Sequence, residues 1–307
     1  MEISFANPIY LWALILVPLL IVLYFFSLKY SKTAALKFAN FIALSRVSGG
    51  VEESSHITLL VVRMFSLVCI ILSISGMTLW YYGETANKNY VLAIDASASM
   101  MSKDFSPTRL DSAKNAAINF VNGIPINSQV AVLSFSGTSF VDQPLTMDKS
   151  IIKNAIKEIQ AKTIGGTDLG NAIITSSNLL ISSKKAKEII LLTDGRSNIG
   201  VSENTAIAYA IDNHITISTI GIGSQNITDK FDLGADEEAL KNIAGLTLGN
   251  SYIVKTSEDL NNVYEQIIKN PSTGKNPIEL SFILLMVALI LLLVDWTMGS
   301  TIYRRII

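Results

Sequence analysis

Three long apolar stretches flank a central region in which shorter apolar and polar segments alternate. The apolar stretches cover about 9–28, 57–80 and 278–298. Each approaches the ~20 residues that an apolar helix needs to cross a bilayer. The pattern therefore predicts three transmembrane helices, with one globular domain between the second and the third.

The central region predicts a doubly wound α/β domain. Its strand candidates are nearly continuous apolar runs, as expected for strands that are covered on both faces. The predicted strands are Tyr90–Ile94, Gln129–Phe135, Glu188–Thr193, Ile215–Ile222 and Ser251–Val254. Helical spacing of apolar residues predicts helices over 109–123, 148–160, 168–182, 203–213, 236–246 and 257–269. Regular alternation of the two favours a mostly parallel sheet.

These segments define the predicted domain boundaries. Residues 1–83 form an N-terminal membrane region with two spans and a basic loop between them, and residues 84–270 form the globular domain. Residues 271–307 form a short linker, the third span and a tail.

Basic residues beside the spans predict the orientation of the chain. They lie in the loop 29–56 and in the C-terminal tail, at Lys29, Lys32, Lys37, Arg46, Arg304 and Arg305. Both segments are expected in the cytoplasm, so the central domain is expected outside it, in a multi-pass protein of the cell membrane. A signal peptide is disfavoured because no Lys or Arg precedes the first apolar stretch and no small-residue cleavage pattern follows it.

Composition narrows the function classes. Of the 307 residues, 50% are hydrophobic, while Lys and Arg (24) almost balance Asp and Glu (25). The absence of a basic stripe argues against nucleic-acid binding. The only cysteine, Cys69, lies in the second span, so the core must stabilise the outer domain. The histidines, His56 and His214, are far apart and predict neither a Ser-His-Asp set nor a histidine metal cluster, so we predict a non-enzyme.

The segment Asp95-Ala96-Ser97-Ala98-Ser99 follows a predicted strand directly. Its carboxylate and hydroxyls offer oxygen, which hard cations such as Mg²⁺ prefer, at the strand end where open α/β sheets bind ligands. Two later loops, Gly165-Gly166-Thr167-Asp168 and Thr193-Asp194-Gly195, offer further oxygen ligands at a helix start and a strand end. An ordinary turn with local Asp and Ser hydrogen bonds is the alternative for the first loop alone.

Other acidic residues near these loops have simpler explanations. We expect Asp168 to start a helix, where the helix dipole favours a carboxylate, and Asp104 to be a solvated loop residue. The acidic run over 229–238 lacks the spacing of an EF-hand and is expected to be a polar loop that leads to a helix cap at Asp236.

The three motifs together resemble the metal-ion-dependent adhesion site (MIDAS) of von Willebrand factor A (VWA) domains, over about residues 89–269. The resemblance implies a site for Mg²⁺, with Mn²⁺ or Ca²⁺ as alternatives, at Asp95, Ser97, Ser99, Thr167 and Asp194. The hydroxyls would face the ion, and the carboxylates would act largely through water. An open coordination position would then accept an Asp or Glu of a partner protein.

The segment Phe5-Ala6-Asn7-Pro8-Ile9-Tyr10-Leu11-Trp12 and the order of spans and domain resemble aerotolerance-type (BatA-like) membrane proteins. That resemblance implies a cytoplasmic MoxR-type AAA+ ATPase and related VWA membrane proteins as partners. It also implies an adaptor or chaperone-like role in envelope protein assembly or stress tolerance. The alternative is a surface adhesion or receptor protein. The loop 29–56 either docks a partner or lies on the membrane as an interfacial helix over 37–44.

Two charged residues fall within the predicted spans. Arg63 and Asp295 both lie about 25 Å from the outer surface, at ~1.5 Å per helical residue. Intramembrane charges tend to pair or to face the interior of a helix bundle. We therefore predict an ion pair between the second and third spans near the cytoplasmic side. Separate extension of the two side chains to the headgroups is the alternative.

Overall fold

The computed structural model describes residues 2–35, 52–84, 88–162, 165–195, 197, 199–223, 230–269 and 272–301. The chain divides into two compact units, Met1–Trp80 with Ile278–Ile307, and Tyr81–Pro277. In chain order the helices and strands are β1 Glu2–Phe5, a 3-10 helix Pro8–Ile15, α1 Leu16–Ala35, α2 Glu52–Ile74, β2 Met77–Glu84, β3 Lys88–Asp95, a 3-10 helix Ala98–Met101, α3 Arg109–Gly123, β4 Val130–Phe135, β5 Ser139–Thr146, α4 Lys149–Glu158, α5 Leu169–Leu180, β6 Ala186–Thr193, α6 Glu203–Asp212, β7 Ile215–Ile222, α7 Lys230–Leu246, β8 Ser251–Val254, α8 Ser257–Lys269, β9 Thr273–Glu279 and α9 Ser281–Thr301.

The unit 81–277 contains a six-stranded sheet in the order β5-β4-β3-β6-β7-β8. All neighbouring strands are parallel except β4 and β5, which are antiparallel. This confirms the predicted α/β class with a mostly parallel, doubly wound sheet. The edge strand β5 was not predicted, because its half-exposed residues and Pro144 give no apolar run, and such strands occur at sheet edges.

Helices cover both faces of this sheet. Side chains of β3 alternate between the faces: Leu92 and Ile94 pack with residues of α3 and α8, whereas Val91 and Ala93 pack with residues of α5 and α6. Every residue of β3, β4, β6 and β7 is buried. Burial on both faces explains why these strands are continuous apolar runs in the sequence.

The other unit contains three helical stretches that are long and apolar enough to cross a membrane, Pro8–Phe26, Ile57–Ile74 and Ser281–Met298. This agrees with the three predicted transmembrane helices. The helices α2 and α9 pack together, and Ser73 Oγ donates a hydrogen bond of 2.7 Å to the Ser281 carbonyl.

The predicted ends of several segments were wrong. The second span was predicted to reach residue 80, but α2 ends at Ile74 and a turn at Gly76, with φ of +69°, leads into β2. Residues 77–80 are rich in strand-forming side chains and pair antiparallel with β1. The third helix begins at Ser281 rather than 278. Helix α7 begins at Lys230, so Asp236 lies inside the helix and does not cap its start.

The predicted cytoplasmic loop is shorter than 29–56, because α1 continues to Ala35 and α2 begins at Glu52. The proposed interfacial segment 37–44 and Arg46 lie outside the described residues, as do Asp229, Arg304 and Arg305.

Candidate metal centre

Two of the predicted loops meet because their strands are neighbours. Strands β3 and β6 are parallel and pair directly, and they end at Asp95 and Thr193. The loop after β3 is also tied to β4, since the Ala96 N–H donates to the Phe135 carbonyl at 2.7 Å. The Asp95 and Asp194 loops therefore share the carboxyl edge of the sheet.

The side chains at this edge form one chain of contacts. Ser97 Oγ and Ser99 Oγ lie 3.0 Å apart, and Ser99 Oγ donates a hydrogen bond of 2.7 Å to Asp194 Oδ1. A hydroxyl that donates its proton in this way keeps lone pairs on its oxygen. Ser99 is exposed, so these lone pairs are open to solvent.

Asp95 is fully buried beneath these hydroxyls. Its Oδ1 accepts the Ser97 N–H at 2.8 Å, and its Oδ2 accepts the Thr193 hydroxyl at 2.7 Å. Burial raises the pKa of Asp95 to about 6, and repulsion from Asp194 adds to this, while the hydrogen bonds from Ser97 and Thr193 oppose it. Because both oxygens already accept hydrogen bonds, the geometry suits a carboxylate that acts on an ion through intervening groups.

The loop that carries Thr167 is anchored to the same edge at both of its ends. The Lys162 N–H donates to the Ala96 carbonyl at 2.7 Å, and the Asp168 N–H donates to the Ser136 carbonyl at 2.8 Å. Residues 163 and 164 lie outside the described residues. Thr167 is buried between these anchors, beside the ends of β3 and β4.

Asp168 begins α5, as predicted. Its Oδ1 accepts the Asn171 N–H at 2.8 Å and the Val201 N–H at 3.3 Å. Gly200 lies against it with a φ of +90°, and a Cβ at that position would lie 1.8 Å from Asp168 Oδ2. The Asp168 carboxylate therefore caps helix α5 and also holds the loop that follows β6.

The sequence analysis missed Arg109, the first residue of α3. Arg109 Nη1 donates to Asp194 Oδ2 at 2.7 Å, while Nε and Nη2 donate to Asp104 at 2.9 and 2.7 Å. Asp104 is an exposed loop residue, as predicted, and the hydrogen bonds that it accepts from Arg109 lower the pKa of its carboxyl. The available signal was a positive charge at a helix N-terminus, where the dipole disfavours it.

This set of groups fits a hard cation. Every candidate ligand is an oxygen, and hydroxyls outnumber carboxylates among Asp95, Ser97, Ser99, Thr167 and Asp194. Within the described part of the chain, no group of three or more His, Cys, Asp or Glu is arranged to hold an ion. An ion at this edge would therefore depend on the hydroxyls, as Mg²⁺ and Mn²⁺ can.

The structure also brings together the two charged residues of the predicted spans. Arg63 Nε in α2 lies 3.0 and 3.1 Å from the two carboxylate oxygens of Asp295 in α9. The Asp295 side chain is 17% exposed.

Comparison with known proteins identifies the family. Residues 90–196 match the von Willebrand factor type A domain, and residues 1–76 match the aerotolerance regulator N-terminal region. The chain is a BatA-like VWA membrane protein. A UPF0353 protein of Nocardia farcinica is 26% identical to this protein over 261 residues, which cover 76% of this chain and 77% of that protein.

Solved structures show the same fold. The crystal structure of the conserved hypothetical protein BatB from Bacteroides thetaiotaomicron has a TM-score of 0.51 and 24% identity, and it covers 60% of this BatA-like protein and 98% of its own chain. Proximal thread matrix protein 1 from the mussel byssus has a TM-score of 0.52 and 21% identity, and it covers 73% of this chain and 53% of its own. That mussel structure is described as having a zinc-occupied MIDAS motif.

Proposed function

We propose that this BatA-like protein binds Mg²⁺ through Asp95, Ser97, Ser99, Thr167 and Asp194, and that the ion binds an Asp or Glu of a partner protein. The observation that carries the proposal is the connected row of Ser97, Ser99 and Asp194 oxygens at the carboxyl edge of the sheet. The zinc-occupied MIDAS motif of the mussel protein, which has the same fold, supports a divalent ion at this edge.

Direct ligation by neutral hydroxyls gives such a site its chemistry. A cation that receives little negative charge from the protein stays strongly electrophilic, so an incoming carboxylate binds to it well. Asp95 is held by hydrogen bonds from Ser97 and Thr193, and it supplies long-range attraction without filling a coordination position. The site needs no nucleophile or base for this purpose, and we expect the protein to be a non-enzyme.

We place the VWA domain outside the cytoplasm, with the loop between the first two spans and the C-terminus inside. Antiparallel pairing of β1 with residues 77–80 of β2 supports this arrangement. It puts the N-terminus on the same side of the membrane as the end of the second span. A MoxR-type AAA+ ATPase would then contact the cytoplasmic segments, and the protein would act as an adaptor or chaperone-like factor in envelope assembly or stress tolerance.

The test is affinity purification of the full chain from membranes, in Mg²⁺ and in EDTA. We expect an acidic partner that is retained in Mg²⁺ and lost in EDTA or with Asp95→Ala. The matched control is Asp212→Ala, an exposed residue that ends α6 and precedes the start of β7, at the opposite edge of the sheet. Undiminished retention in EDTA would contradict the proposal. Co-purification of an external matrix ligand without an ATPase would favour an adhesion protein instead.

A further inference from the structure

We propose that Arg109 is a positioning residue of the metal centre, which fixes the Asp194 carboxylate so that it can reach an ion only through water. This inference rests on the proposed function and assigns a role to a residue outside the expected ligand set.

Both oxygens of Asp194 are engaged. Oδ1 accepts the Ser99 hydroxyl and Oδ2 accepts Arg109 Nη1, each at 2.7 Å. The Asp194 side chain is only 1% exposed, so water does not replace either partner easily. Turning Asp194 toward an ion at the serines would break the contact with Arg109, and a buried charge-assisted hydrogen bond is costly to break.

Asp104 holds the guanidinium in this orientation. It accepts Nε and Nη2 of Arg109 side by side, at 2.9 and 2.7 Å, which leaves Nη1 directed at Asp194. Such a paired arrangement fixes the plane of the guanidinium as well as its position. The Arg109 side chain is 13% exposed. A lysine would keep the charge but could not reproduce the planar fork.

The charge of Arg109 has a second consequence. A guanidinium beside Asp194 offsets part of the negative charge that attracts a divalent ion, so its removal should tighten cation binding. The freed Asp194 should then ligate the ion directly, displace a coordinated water and lower the affinity of the ion for a second carboxylate. The two affinities are expected to change in opposite directions, whereas damage to the fold would weaken both.

The experiment uses the full chain in detergent micelles, with Mn²⁺ as the metal probe and acetate as the carboxylate probe. Electron paramagnetic resonance of free Mn²⁺ gives the affinity, and water-proton relaxation gives the number of waters on the bound ion. For Arg109→Gln we expect Mn²⁺ binding to tighten by roughly tenfold, from the Coulomb term for one unit charge near the site. We also expect fewer bound waters and weaker acetate binding.

Two further variants separate the effect of the Arg109 charge from the effect of its planar geometry. Arg109→Lys should keep an Mn²⁺ affinity near that of the unmodified protein but lose a bound water, because it retains the charge and not the fork. Lys269→Gln makes the same change of charge at an exposed residue of α8 and should change neither quantity. Unchanged water numbers in both Arg109 variants, or a parallel loss of Mn²⁺ and acetate binding, would overturn the proposal.

The Asp95→Ala variant tests the proposed metal site independently of Arg109. If Asp95→Ala binds Mn²⁺ as well as the unmodified protein, the proposed function fails; if only the Arg109 variants behave like the unmodified protein, the inference about Arg109 fails alone. Circular dichroism reports whether each variant is folded. Should both Arg109 variants unfold, Asp104→Asn is the alternative, because it keeps Arg109 and weakens the paired hydrogen bonds that orient its guanidinium. An unchanged number of bound waters in that variant would overturn the proposal.

Discussion

A buried ion pair at the amino edge of the sheet should make the VWA domain sensitive to the loss of either partner alone. Lys88 Nζ in β3 lies 2.9 Å from Glu188 Oε2 in β6, and both side chains are 1% exposed. Lys88 also donates to the carbonyl and the hydroxyl of Ser272, each at 2.8 Å. Glu188 Oε1 accepts the hydroxyls of Ser218 and Ser272, at 2.6 and 2.9 Å.

The change Lys88→Met removes the cation and leaves the Glu188 carboxylate buried with hydroxyl donors alone. Removing one partner of a buried pair costs about 3–5 kcal/mol, because the remaining charge is uncompensated. At ~2–4 °C per kcal/mol for a domain of this size, the midpoint of thermal unfolding should fall by about 6–20 °C. The double variant Lys88→Met/Glu188→Gln should be more stable than the single one, since it removes both charges.

Differential scanning calorimetry of the full chain in micelles is the suitable assay. Tryptophan fluorescence would not report on this unit, because Trp12, Trp80 and Trp296 all lie outside residues 81–277. Lys269→Met is the control: its pair with Glu265 is 71% and 65% exposed, and such pairs contribute at most ~1 kcal/mol. A loss below about 1 kcal/mol for Lys88→Met, or additive effects in the double variant, would refute the reasoning.

Three further predictions concern other parts of the protein. A double-mutant cycle of Arg63→Ala and Asp295→Ala should show a coupling of about 0.5–2 kcal/mol in micelles, because the two side chains form a direct pair, and strict additivity would contradict it. Burial raises the pKa of Asp95 to about 6, so protons should compete with Mn²⁺ as the pH falls through that value and not above about pH 7; an affinity that stays constant down to about pH 5 would exclude this competition. Gly200→Ala should lower stability by about 1–3 kcal/mol, since its φ is +90° and the added Cβ would clash with Asp168. Calorimetry that shows no loss of stability would contradict this prediction.

The sequence predicted the parts of the fold that are buried on both sides. The strand Ile215–Ile222 and the helices Arg109–Gly123 and Ser257–Lys269 have the predicted bounds. A strand covered by two layers of helices needs apolar residues throughout, and an amphipathic helix needs them at a period of 3.6. Both requirements leave a clear pattern in the sequence.

Two strands that lack such cover were not predicted from hydropathy. The edge strand β5 is half exposed, and β2 follows an apolar helix so closely that it looked like the end of the second span. Gly76 was the available sign of a break, but a glycine within an apolar stretch does not by itself distinguish a turn from a continued helix.

The candidate site was predictable where its residues follow strands, and not where long-range pairs decide the geometry. Asp95 and Asp194 each come directly after an apolar strand, and parallel strands bring such loops to one edge. The pairing of Arg109 with Asp194 and of Lys88 with Glu188 joins residues far apart in the chain. A single charged residue at a strand end or helix start gives no indication of which partner it meets.

The charges at the carboxyl edge bear on how a partner can be bound and released. Asp95, Asp104 and Asp194 lie there, and Arg109 contacts the last two, so that more negative than positive charge remains when all are ionised. A divalent ion would balance this excess, and a partner's carboxylate could then ligate the ion without net repulsion from the edge. Without the ion, the same carboxylate would approach uncompensated negative groups. Removal of the metal should therefore turn attraction into repulsion, which predicts complete rather than partial release of an acidic partner in EDTA.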